Sequence, residues 1–340
     1  MIRVGINGFG RIGRAVFRNL IEYEDIEIIQ INDIDPNIEN LAYLLKYDTH
    51  FGRFKSKVNI EGDHFKVDGK SILISSGEFI DKVKWKKVID IIIDSSGVSY
   101  NINGCKKMIN DGLIQKSIIT HSPENVDATI IIGANEDQYD KNIHHVVSSS
   151  ICDAVAVSPI LSYLDHLVDV EHCMFTTLHP WLGYQNLLDG SLNSVSNPGH
   201  FWTDYALGRN STENLIPKQT TAAKAVKKVL PEFKNRLDAI SFRVPTAVVS
   251  CSDLTISFKK NIKVDQLVEY LKQFSRDNQF IHFNHESLVS SDYKGTKYAS
   301  IIDGQWLNIN NKLLKVILWY DNEYGYASRV CELTKFIMRN

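Results

Sequence analysis

Three glycines near the start of the chain restrict the fold more than any other feature of the sequence. Gly8, Gly10 and Gly13 form the pattern Gly-x-Gly-x-x-Gly directly after the apolar run Ile2–Ile6 and directly before a helical pattern. In this context the first glycine permits a tight turn, the second lets the backbone approach a pyrophosphate, and the third lets helix and strand pack closely. The sequence therefore predicts a dinucleotide site at a helix N-terminus.

An acid at the end of the second predicted strand fits the same fold. Asp33 follows the apolar run Ile26–Ile31 and lies 20 residues beyond Gly13 (33 − 13). A carboxylate there accepts hydrogen bonds from the adenosine ribose, which favours NAD over its 2′-phosphorylated relative. An incidental acid beside an ordinary glycine turn is the weaker interpretation, because strand, spacing and acid agree. The predicted cofactor-binding loop also contains Phe9, Arg11 and Ile12.

The pattern of apolar residues divides the chain at about residue 150. Before it, short apolar runs alternate with helical patterns, which is typical of a parallel sheet with crossover helices. The predicted strands are Ile2–Ile6, Ile26–Ile31, Val88–Ile93, Ser117–Thr120, Ala128–Ile132 and Val146–Ser149, with a helix over Arg14–Tyr23. After it, a predicted helix over Asp153–His166 precedes long alternating stretches at Cys173–His179, Ala239–Ser250, Asp253–Lys259 and Leu314–Trp319.

We therefore predict an α/β protein in which a Rossmann-type parallel sheet domain precedes an α+β catalytic domain with a mostly antiparallel sheet. The predicted limits are 1–150 for the first domain and 151–319 for the second. Residues 320–340 contain a helix that is predicted to pack back on the first domain. Residues 189–209, rich in Ser, Asn and Gly, are predicted to form a long loop.

Composition disfavours several classes of partner. The 38 Lys and Arg residues nearly balance 40 Asp and Glu, so the charge of −2 gives no support for a nucleic-acid or membrane surface. No apolar run approaches the roughly 20 residues of a membrane span, and no leader pattern precedes the first strand. The five cysteines lie far apart without a CxxC pair, which favours a reducing compartment. We expect a cytoplasmic protein with no metal site.

Seven segments of the chain resemble the glyceraldehyde-3-phosphate dehydrogenase family. They are Asn7-Gly8-Phe9-Gly10-Arg11-Ile12-Gly13-Arg14, Lys46-Tyr47-Asp48, Ser95-Ser96-Gly97-Val98, Ala222-Ala223-Lys224-Ala225-Val226, Phe242-Arg243-Val244-Pro245-Thr246, Val289-Ser290-Ser291-Asp292 and Trp319-Tyr320-Asp321-Asn322-Glu323. They are collinear over essentially the whole chain. The resemblance implies a homotetramer that binds NAD, with further cofactor contacts from Ser95, Gly97, Asn322 and Tyr326. Asn322 would hold the nicotinamide carboxamide.

The resemblance also implies the reaction. In this family a cysteine at a helix start attacks an aldehyde and a histidine of the next strand assists, and Cys152 and His179 match these positions, 27 residues apart (179 − 152). Because an ordinary thiol is mostly protonated at neutral pH, we expect the helix N-terminus and the imidazole to favour the thiolate. The product of hydride loss is a thioester on Cys152. A buried core cysteine is the weaker interpretation of this residue.

One departure from the family lies beside the nucleophile. Asp153 replaces a threonine that helps to bind inorganic phosphate, and a carboxylate repels a phosphate dianion. Thr220 matches the partner segment of that phosphate site, whereas Thr221 replaces a usual glycine. Two hypotheses remain open for Asp153. It activates water, alone or together with His179, so that the product is a carboxylic acid, or it is only an acid stabilised near a helix N-terminus.

A second departure affects the site for the phosphate of the substrate. Leu182 and Tyr184 replace two threonines, whereas Arg243 matches the phosphate-binding arginine of the family. Tyr184 would replace one hydroxyl or, with Trp181, form an aromatic wall for a longer aldehyde. The alternative is that both aromatic side chains are core residues under the long loop.

Three functions follow, and all three stay open. The first is NAD-dependent oxidation of glyceraldehyde 3-phosphate or a related phosphorylated aldehyde, including an erythrose-4-phosphate-type substrate. The second ends in hydrolysis of the thioester. The third is a catalytically degenerate paralogue that only binds NAD, which the retention of Cys152, His179, Arg243 and Asn322 disfavours.

Overall fold

The computed structural model describes residues 1–194 and 197–340, which form two compact units. The first unit comprises Met1–Ile130, Gln138–Ser150 and Ala327–Asn340, and the second comprises Ile131–Asp137 and Ile151–Tyr326. The residues from Ala327 onward thus belong to the first unit, where the Tyr23 hydroxyl donates to Glu332 at 2.6 Å. The functional domain limits at 150 and 319 stay a prediction, because compact units need not coincide with domains.

The first unit contains a mostly parallel sheet, which has nine strands in the described part of the chain. Its elements are β1 (Ile2–Asn7), α1 (Arg11–Leu20), β2 (Ile26–Asp33), α2 (Ile38–Lys46), β3 (Tyr47–Asp48), β4 (Gly52–Arg53), β5 (Val58–Glu61), β6 (His64–Val67), β7 (Lys70–Ser76), β8 (Ile91–Asp94), α3 (Asn101–Asn110), β9 (Lys116–Ile119), β10 (Ala128–Thr129) and β11 (Val146–Ser148). The order is β10-β11-β9-β8-β1-β2-β7-β6-β5, with β3 and β4 paired separately.

Parallel pairing positions the glycine loop. β1 lies between β2 and β8 and runs parallel to both, so the carboxyl ends of the three strands meet at one edge of the sheet. The Ile91-Ile92-Ile93 run of β8 is buried on both faces, as expected for a central parallel strand. Ligands of doubly wound sheets bind at this edge. The predicted Rossmann-type architecture is confirmed.

The antiparallel extension of this sheet, formed by β5, β6 and β7, was not predicted from the sequence. The turn between β6 and β7 is Asp68-Gly69, and both residues have positive φ (47° and 83°). Asp-Gly is the dipeptide that a two-residue type I′ hairpin prefers, so the sequence did contain a signal for this hairpin. β5 and β6 have only four residues each, which is too short for their alternation to stand out.

The second unit contains a mixed, mostly antiparallel sheet, which has eight strands in the described residues. The remaining elements of the chain are α4 (Cys152–Val168), β12 (Val170–Pro180), β13 (Ile216–Lys218), α5 (Ala222–Val229), β14 (Leu237–Val244), β15 (Ser250–Phe258), α6 (Val264–Asp277), β16 (Ile281–Asn284), β17 (Ser300–Asp303), β18 (Asn308–Asn310), β19 (Leu313–Tyr320) and α7 (Tyr324–Arg339). The order is β13-β14-β12-β15-β19-β17-β16, with β18 on β19. Only β12/β14 and β16/β17 are parallel among these pairs, and the predicted fold class is confirmed.

Two predicted segments differ from the structure. The stretch Ala239–Ser250 is not one strand, because β14 ends at Val244 and Pro245 follows, which has no backbone N–H to donate. The predicted loop 189–209 contains a short 3-10 helix at Tyr205–Gly208 and a bridge from Asn193 to Phe201. Residues 195 and 196 of that loop lie outside the described residues. Among the described helices, none has the length and apolar character that crossing a membrane requires.

Candidate active site

The glycine loop of the first unit has the backbone geometry that a pyrophosphate requires. Gly8 has φ +84°, and a Cβ on Gly13 would lie 2.0 Å from the Gly8 carbonyl oxygen. A Cβ on Gly10, by contrast, would meet no described atom within 4 Å. α1 begins at Arg11, and no side chain caps its first turn in the described structure. Open space at Gly10, directly before the N-terminus of α1, fits the phosphates of NAD.

Polar side chains at the ends of the neighbouring strands hold the glycine loop in place through hydrogen bonds. The Ser95 hydroxyl lies 2.7 Å from the carbonyl oxygen of Gly8 and 3.1 Å from that of Asn7. The Asn7 side chain donates to Asp94 at 2.9 Å and accepts from Asn32 at 2.8 Å. Burial raises the pKa of the Asp94 carboxyl. Ser95, predicted as a cofactor contact, therefore has an observed role in holding the loop.

Asp33 links the glycine loop to the end of β2. One of its carboxylate oxygens accepts from the Phe9 N–H at 2.5 Å, and the other accepts from the Asp35 N–H at 2.9 Å. Each carboxylate oxygen has two acceptor positions, so capacity for ribose hydroxyls remains. The Phe9 ring is only 1% exposed and packs edge-on against Phe17. Phe9 is therefore a core residue of the first unit, and its contact with a cofactor stays a prediction.

The other predicted residues of the cofactor site in the first unit differ in where their side chains point. The Arg11 guanidinium donates to Asp48 at 2.5 Å and lies over the Phe51 ring. Ile12 is partly buried in the first turn of α1. Gly97 has φ +74° in the turn that follows β8, a conformation that side chains rarely adopt.

The thiol and imidazole of the second unit lie within hydrogen-bond distance. Cys152 is the first residue of α4, and its Sγ is 3.5 Å from Nε2 of His179 on β12. Nδ1 of the same ring is 2.8 Å from the Pro180 carbonyl oxygen. A carbonyl can only accept, so Nδ1 carries the proton and Nε2 is the acceptor. The thiol therefore donates to Nε2.

Burial sets the protonation states of this pair. It raises the pKa of the Cys152 thiol well above its ordinary value, with the charge of Asp153 adding to the effect and Arg243 opposing it. It also lowers the pKa of His179 to about 4, and the Arg243 charge acts in the same direction. Desolvation disfavours both ionised forms. The expected resting thiolate is therefore replaced by a neutral thiol facing a neutral imidazole.

Asp153 is a buried carboxylate with partners from distant strands. It is 7% exposed, and its Oδ1 accepts from the Tyr320 hydroxyl at 2.5 Å. Because that hydroxyl has one proton, the Ser252 hydroxyl, 3.1 Å away, donates to Tyr320. Oδ2 lies 3.9 Å from Cys152 Sγ. Cys152, Asp153 and His179 each have one side-chain atom of a type that can coordinate a metal ion, and these three atoms lie within 4.8 Å of one another. The wide spacing of the cysteines in the sequence gave no sign of this cluster.

Two cations belong to the same group of strands. Arg243 on β14 is 6% exposed, and its Nε has no hydrogen-bond partner among the described residues. Lys218 at the end of β13 was not identified from the sequence. Burial, assisted by the charge of Arg243, lowers the pKa of Lys218 to about 8. The sequence signal that could have identified Lys218 was a charged residue in a short apolar strand. For Tyr320 it was the position of this residue in a segment, 319–323, that resembles the family.

The remaining predicted substrate residues already have protein partners. The Thr220 hydroxyl accepts from the Ala222 N–H at 3.1 Å, and Thr221 is the exposed N-cap residue of α5. The Tyr184 ring is parallel to that of Trp202 with centroids 6.4 Å apart. Tyr184 also packs against a small cluster formed by Leu192, Leu207 and Ile216. These contacts agree with an aromatic side chain under the long loop, and its role toward a substrate stays a prediction.

Asn322 and Tyr326 follow the last strand of the second unit. Oδ1 of Asn322 accepts from the Val249 N–H at 2.9 Å, where Val249 has φ +73°, a rare conformation for a β-branched residue. This bond leaves the Asn322 amide N–H₂ available to a carboxamide oxygen. Tyr326 is 5% exposed, and its N–H donates to the Asp321 carbonyl. Their roles toward NAD stay predictions.

Comparison with known proteins agrees with this geometry. Residues 2–102 match the family model described as glyceraldehyde 3-phosphate dehydrogenase, NAD binding domain, and residues 151–322 match that described as its C-terminal domain. Glyceraldehyde-3-phosphate dehydrogenase of Geobacillus stearothermophilus is 36% identical over 340 residues, which cover 99% of this chain and 98% of the relative. Glyceraldehyde-3-phosphate dehydrogenase 1 of Kluyveromyces lactis is 34% identical over 341 residues, covering 99% and 100%.

Proposed function

We propose, from the premise that the chain belongs to the glyceraldehyde-3-phosphate dehydrogenase family, that it oxidises glyceraldehyde 3-phosphate or a related phosphorylated aldehyde through a thioester on Cys152. The protein is an oxidoreductase of this family with NAD as its cofactor. The observation that carries the finer proposal is the 3.5 Å approach of Cys152 Sγ to the acceptor nitrogen of His179.

His179 manages the proton at two points of the proposed reaction. As the thiol adds to the aldehyde carbonyl, its proton passes to Nε2 and on to the carbonyl oxygen, which gives a neutral hemithioacetal. The hemithioacetal hydroxyl proton then returns to Nε2 as the carbon loses hydride, and a thioester remains. NAD, when bound, supplies the hydride acceptor. The neutral resting pair suits this sequence, because the base is free to accept a proton at neutral pH.

Asp153 supports a second candidate for the last step. Its carboxylate is buried and one oxygen lies 3.9 Å from Sγ, so a phosphate dianion that approached the thioester would meet a like charge. Water carries no such charge, and a carboxylate held by Tyr320 is oriented to accept a proton from it. Hydrolysis to a carboxylic acid is therefore the second candidate, beside transfer to phosphate.

The experiment follows NADH formation with purified protein and NAD. The aldehydes are glyceraldehyde 3-phosphate, erythrose 4-phosphate and unphosphorylated glyceraldehyde, each with and without inorganic phosphate. We expect turnover with a phosphorylated aldehyde. A strict requirement for phosphate would establish acyl transfer and contradict hydrolysis, whereas many turnovers without phosphate would do the reverse.

The hypothesis of a catalytically degenerate paralogue would be supported if NAD binds, no aldehyde is oxidised and iodoacetamide does not label Cys152. The family resemblance also leads us to propose a homotetramer located in the cytoplasm. Sedimentation of the purified protein tests the assembly, and a monomeric species at working concentration would contradict it.

A further inference from the structure

Strand register places a lysine in the same face of the sheet as the catalytic histidine. In β13 and β14, Lys218 lies opposite Ser241, and in β14 and β12, Ser241 lies opposite Thr177. Neighbours in paired strands point to the same face of a sheet. The Thr177 hydroxyl donates to the Ser241 hydroxyl at 2.7 Å, which shows that these two side chains do share a face. Lys218 begins this row.

A second row on the same face contains the buried arginine. In the next row, two residues later in β14 and β12 and two residues earlier in the antiparallel β13, Ile216, Arg243 and His179 lie side by side. Because side chains alternate with a period of two, this row points to the same face as the row of Lys218. The contact between His179 and Cys152 identifies that face as the one directed at the nucleophile. Two cations and the reacting thiol thus share one side of three adjacent strands.

The electrostatic surroundings of Lys218 agree with this placement. The charges that act on its ammonium group are those of Arg243, Asp153, Asp204 and Cys152. Arg243 is buried and has an Nε without a hydrogen-bond partner among the described residues. A buried guanidinium with an unused donor, next to a second cation, is the arrangement that binds a doubly charged oxyanion. A ligand with a single carboxylate would neutralise only one of the two positive charges of Arg243 and Lys218.

We propose that Lys218 and Arg243 together form a binding site for a phosphate dianion, and that Lys218 is the residue that selects phosphorylated over unphosphorylated aldehydes. The inference deepens the proposed function and rests on it for the selectivity. The dianion has two possible sources with the same chemistry, the phosphate group of the aldehyde and free inorganic phosphate.

Binding is measured first, because it needs no turnover. The probes are glycerol 3-phosphate and inorganic phosphate, titrated calorimetrically into the full-length protein. Loss of one charge-assisted contact predicts that Lys218→Met weakens binding of at least one probe by about 10- to 100-fold. Lys218→Arg should retain most of the affinity. Lys234→Met, which removes an exposed lysine of the same unit, should leave it unchanged.

The pH dependence distinguishes a direct contact from a structural role. With a pKa of about 8, Lys218 is mostly protonated at pH 7 and mostly neutral at pH 9. Wild-type affinity for glycerol 3-phosphate, which is a dianion over this interval because its second phosphate pKa is about 6, should therefore fall, whereas that of Lys218→Arg should stay nearly flat. The midpoint of thermal unfolding without probe checks that Lys218→Met is folded.

Kinetics assign the source of the dianion. A rise in KM for the phosphorylated aldehyde alone in Lys218→Met assigns the site to the substrate. A rise in KM for inorganic phosphate alone assigns it to the acyl acceptor and overturns the role of Lys218 in selecting phosphorylated aldehydes. The dianion site is overturned if wild type binds neither probe, or if folded Lys218→Met binds both as wild type does. Probe binding that depends on Lys218, with no aldehyde oxidised, would refute the proposed function but not the dianion site.

Discussion

The cofactor loop and the thiol site are constructed in opposite ways. In the cofactor loop, residues 7–13 are contiguous, and the geometry depends on missing side chains: open space at Gly10 and close backbone approach at Gly13. In the thiol site, the groups come from α4 and from five separate strands, and the geometry depends on the side chains that are present. A glycine loop can be predicted from a short sequence motif, whereas a site formed by side chains that are distant in sequence cannot.

The two regions also differ in what burial does to them. Under the cofactor loop, burial raises the pKa of Asp94, a group that only supports the backbone. In the thiol site, burial acts on the reacting groups and keeps both Cys152 and His179 neutral. The function of the cofactor loop thus depends on its shape, whereas that of the thiol site depends on charge. The following changes test that distinction.

Removal of the thiol should have the largest effect. Cys152→Ala should lower kcat/KM for aldehyde oxidation on the order of 10⁴-fold or more, the scale on which loss of a nucleophile acts. NAD affinity, measured by fluorescence titration, should stay near wild type, because the cofactor loop is unchanged. Cys173→Ala is the matched control, since Cys173 is a buried residue of β12. Equal activity losses in the two variants would contradict the assignment of Cys152.

Two glycine variants separate shape from fold stability in the cofactor loop. Gly13→Ala places a Cβ 2.0 Å from a backbone oxygen, so it should lower the free energy of unfolding by about 1–3 kcal/mol and weaken NAD binding. In Gly10→Ala the added Cβ meets no atom of the described residues within 4 Å, so stability should be retained. NAD affinity should still fall about 10-fold, the loss of one backbone-to-phosphate contact.

Urea unfolding and NAD titration of both glycine variants provide the measurements. Gly183→Ala, also in open space, is the control in the second unit and should change neither quantity. If Gly10→Ala binds NAD as wild type does, the phosphates do not approach that residue.

The smallest expected effect is the pH dependence of stability that comes from His179. Its pKa of about 4 in the folded state lies below the ordinary value of 6.5, so the stabilising contribution is complete above pH 6.5 and is lost as the pH falls toward 4. The expected loss is on the order of 1–3 kcal/mol. Urea unfolding of wild type and His179→Gln at pH 7 and pH 4.5 measures it.

The control for this last prediction is in the other unit. Burial also lowers the pKa of His121 to about 4, so His121→Gln should reduce the pH dependence in the same direction without removing the proposed catalytic base. An unchanged pH dependence in His179→Gln would mean that this imidazole is not desolvated in the folded protein.

Most of the fold was predictable because its signals are local. Gly8, Gly10 and Gly13 after an apolar run predicted β1, the loop and α1, and the change of pattern near residue 150 predicted the second sheet. The failures were also local in origin. The alternation at Ala239–Ser250 continued through Pro245, so period alone predicted one strand where the structure has the ends of two. Tyr184 packs with residues of the long loop, and its role toward a substrate stays a prediction.

The candidate nucleophile and base were predictable by resemblance, but their protonation states were not. A cysteine at a helix start suggested a thiolate, since the helix N-terminus favours an anion. The structure adds burial and the charge of Asp153, which both act against ionisation, and they outweigh the charge of Arg243 and the backbone hydrogen bonds that favour the thiolate. The net effect depends on how much water is removed from the thiol, and no motif encodes that quantity.

By itself the sequence determined the family, the cofactor loop and Cys152 as the candidate nucleophile. These are properties of short segments and of backbone freedom, which contiguous residues specify. Only the tertiary structure decided that Tyr320 bonds Asp153 across 167 residues of chain and that Lys218 shares a face with Arg243. Strand register and burial bring these groups together, and both result from packing of the whole sheet. Charges and pKa values follow from that packing, because they are sums over neighbours that the order of residues does not reveal.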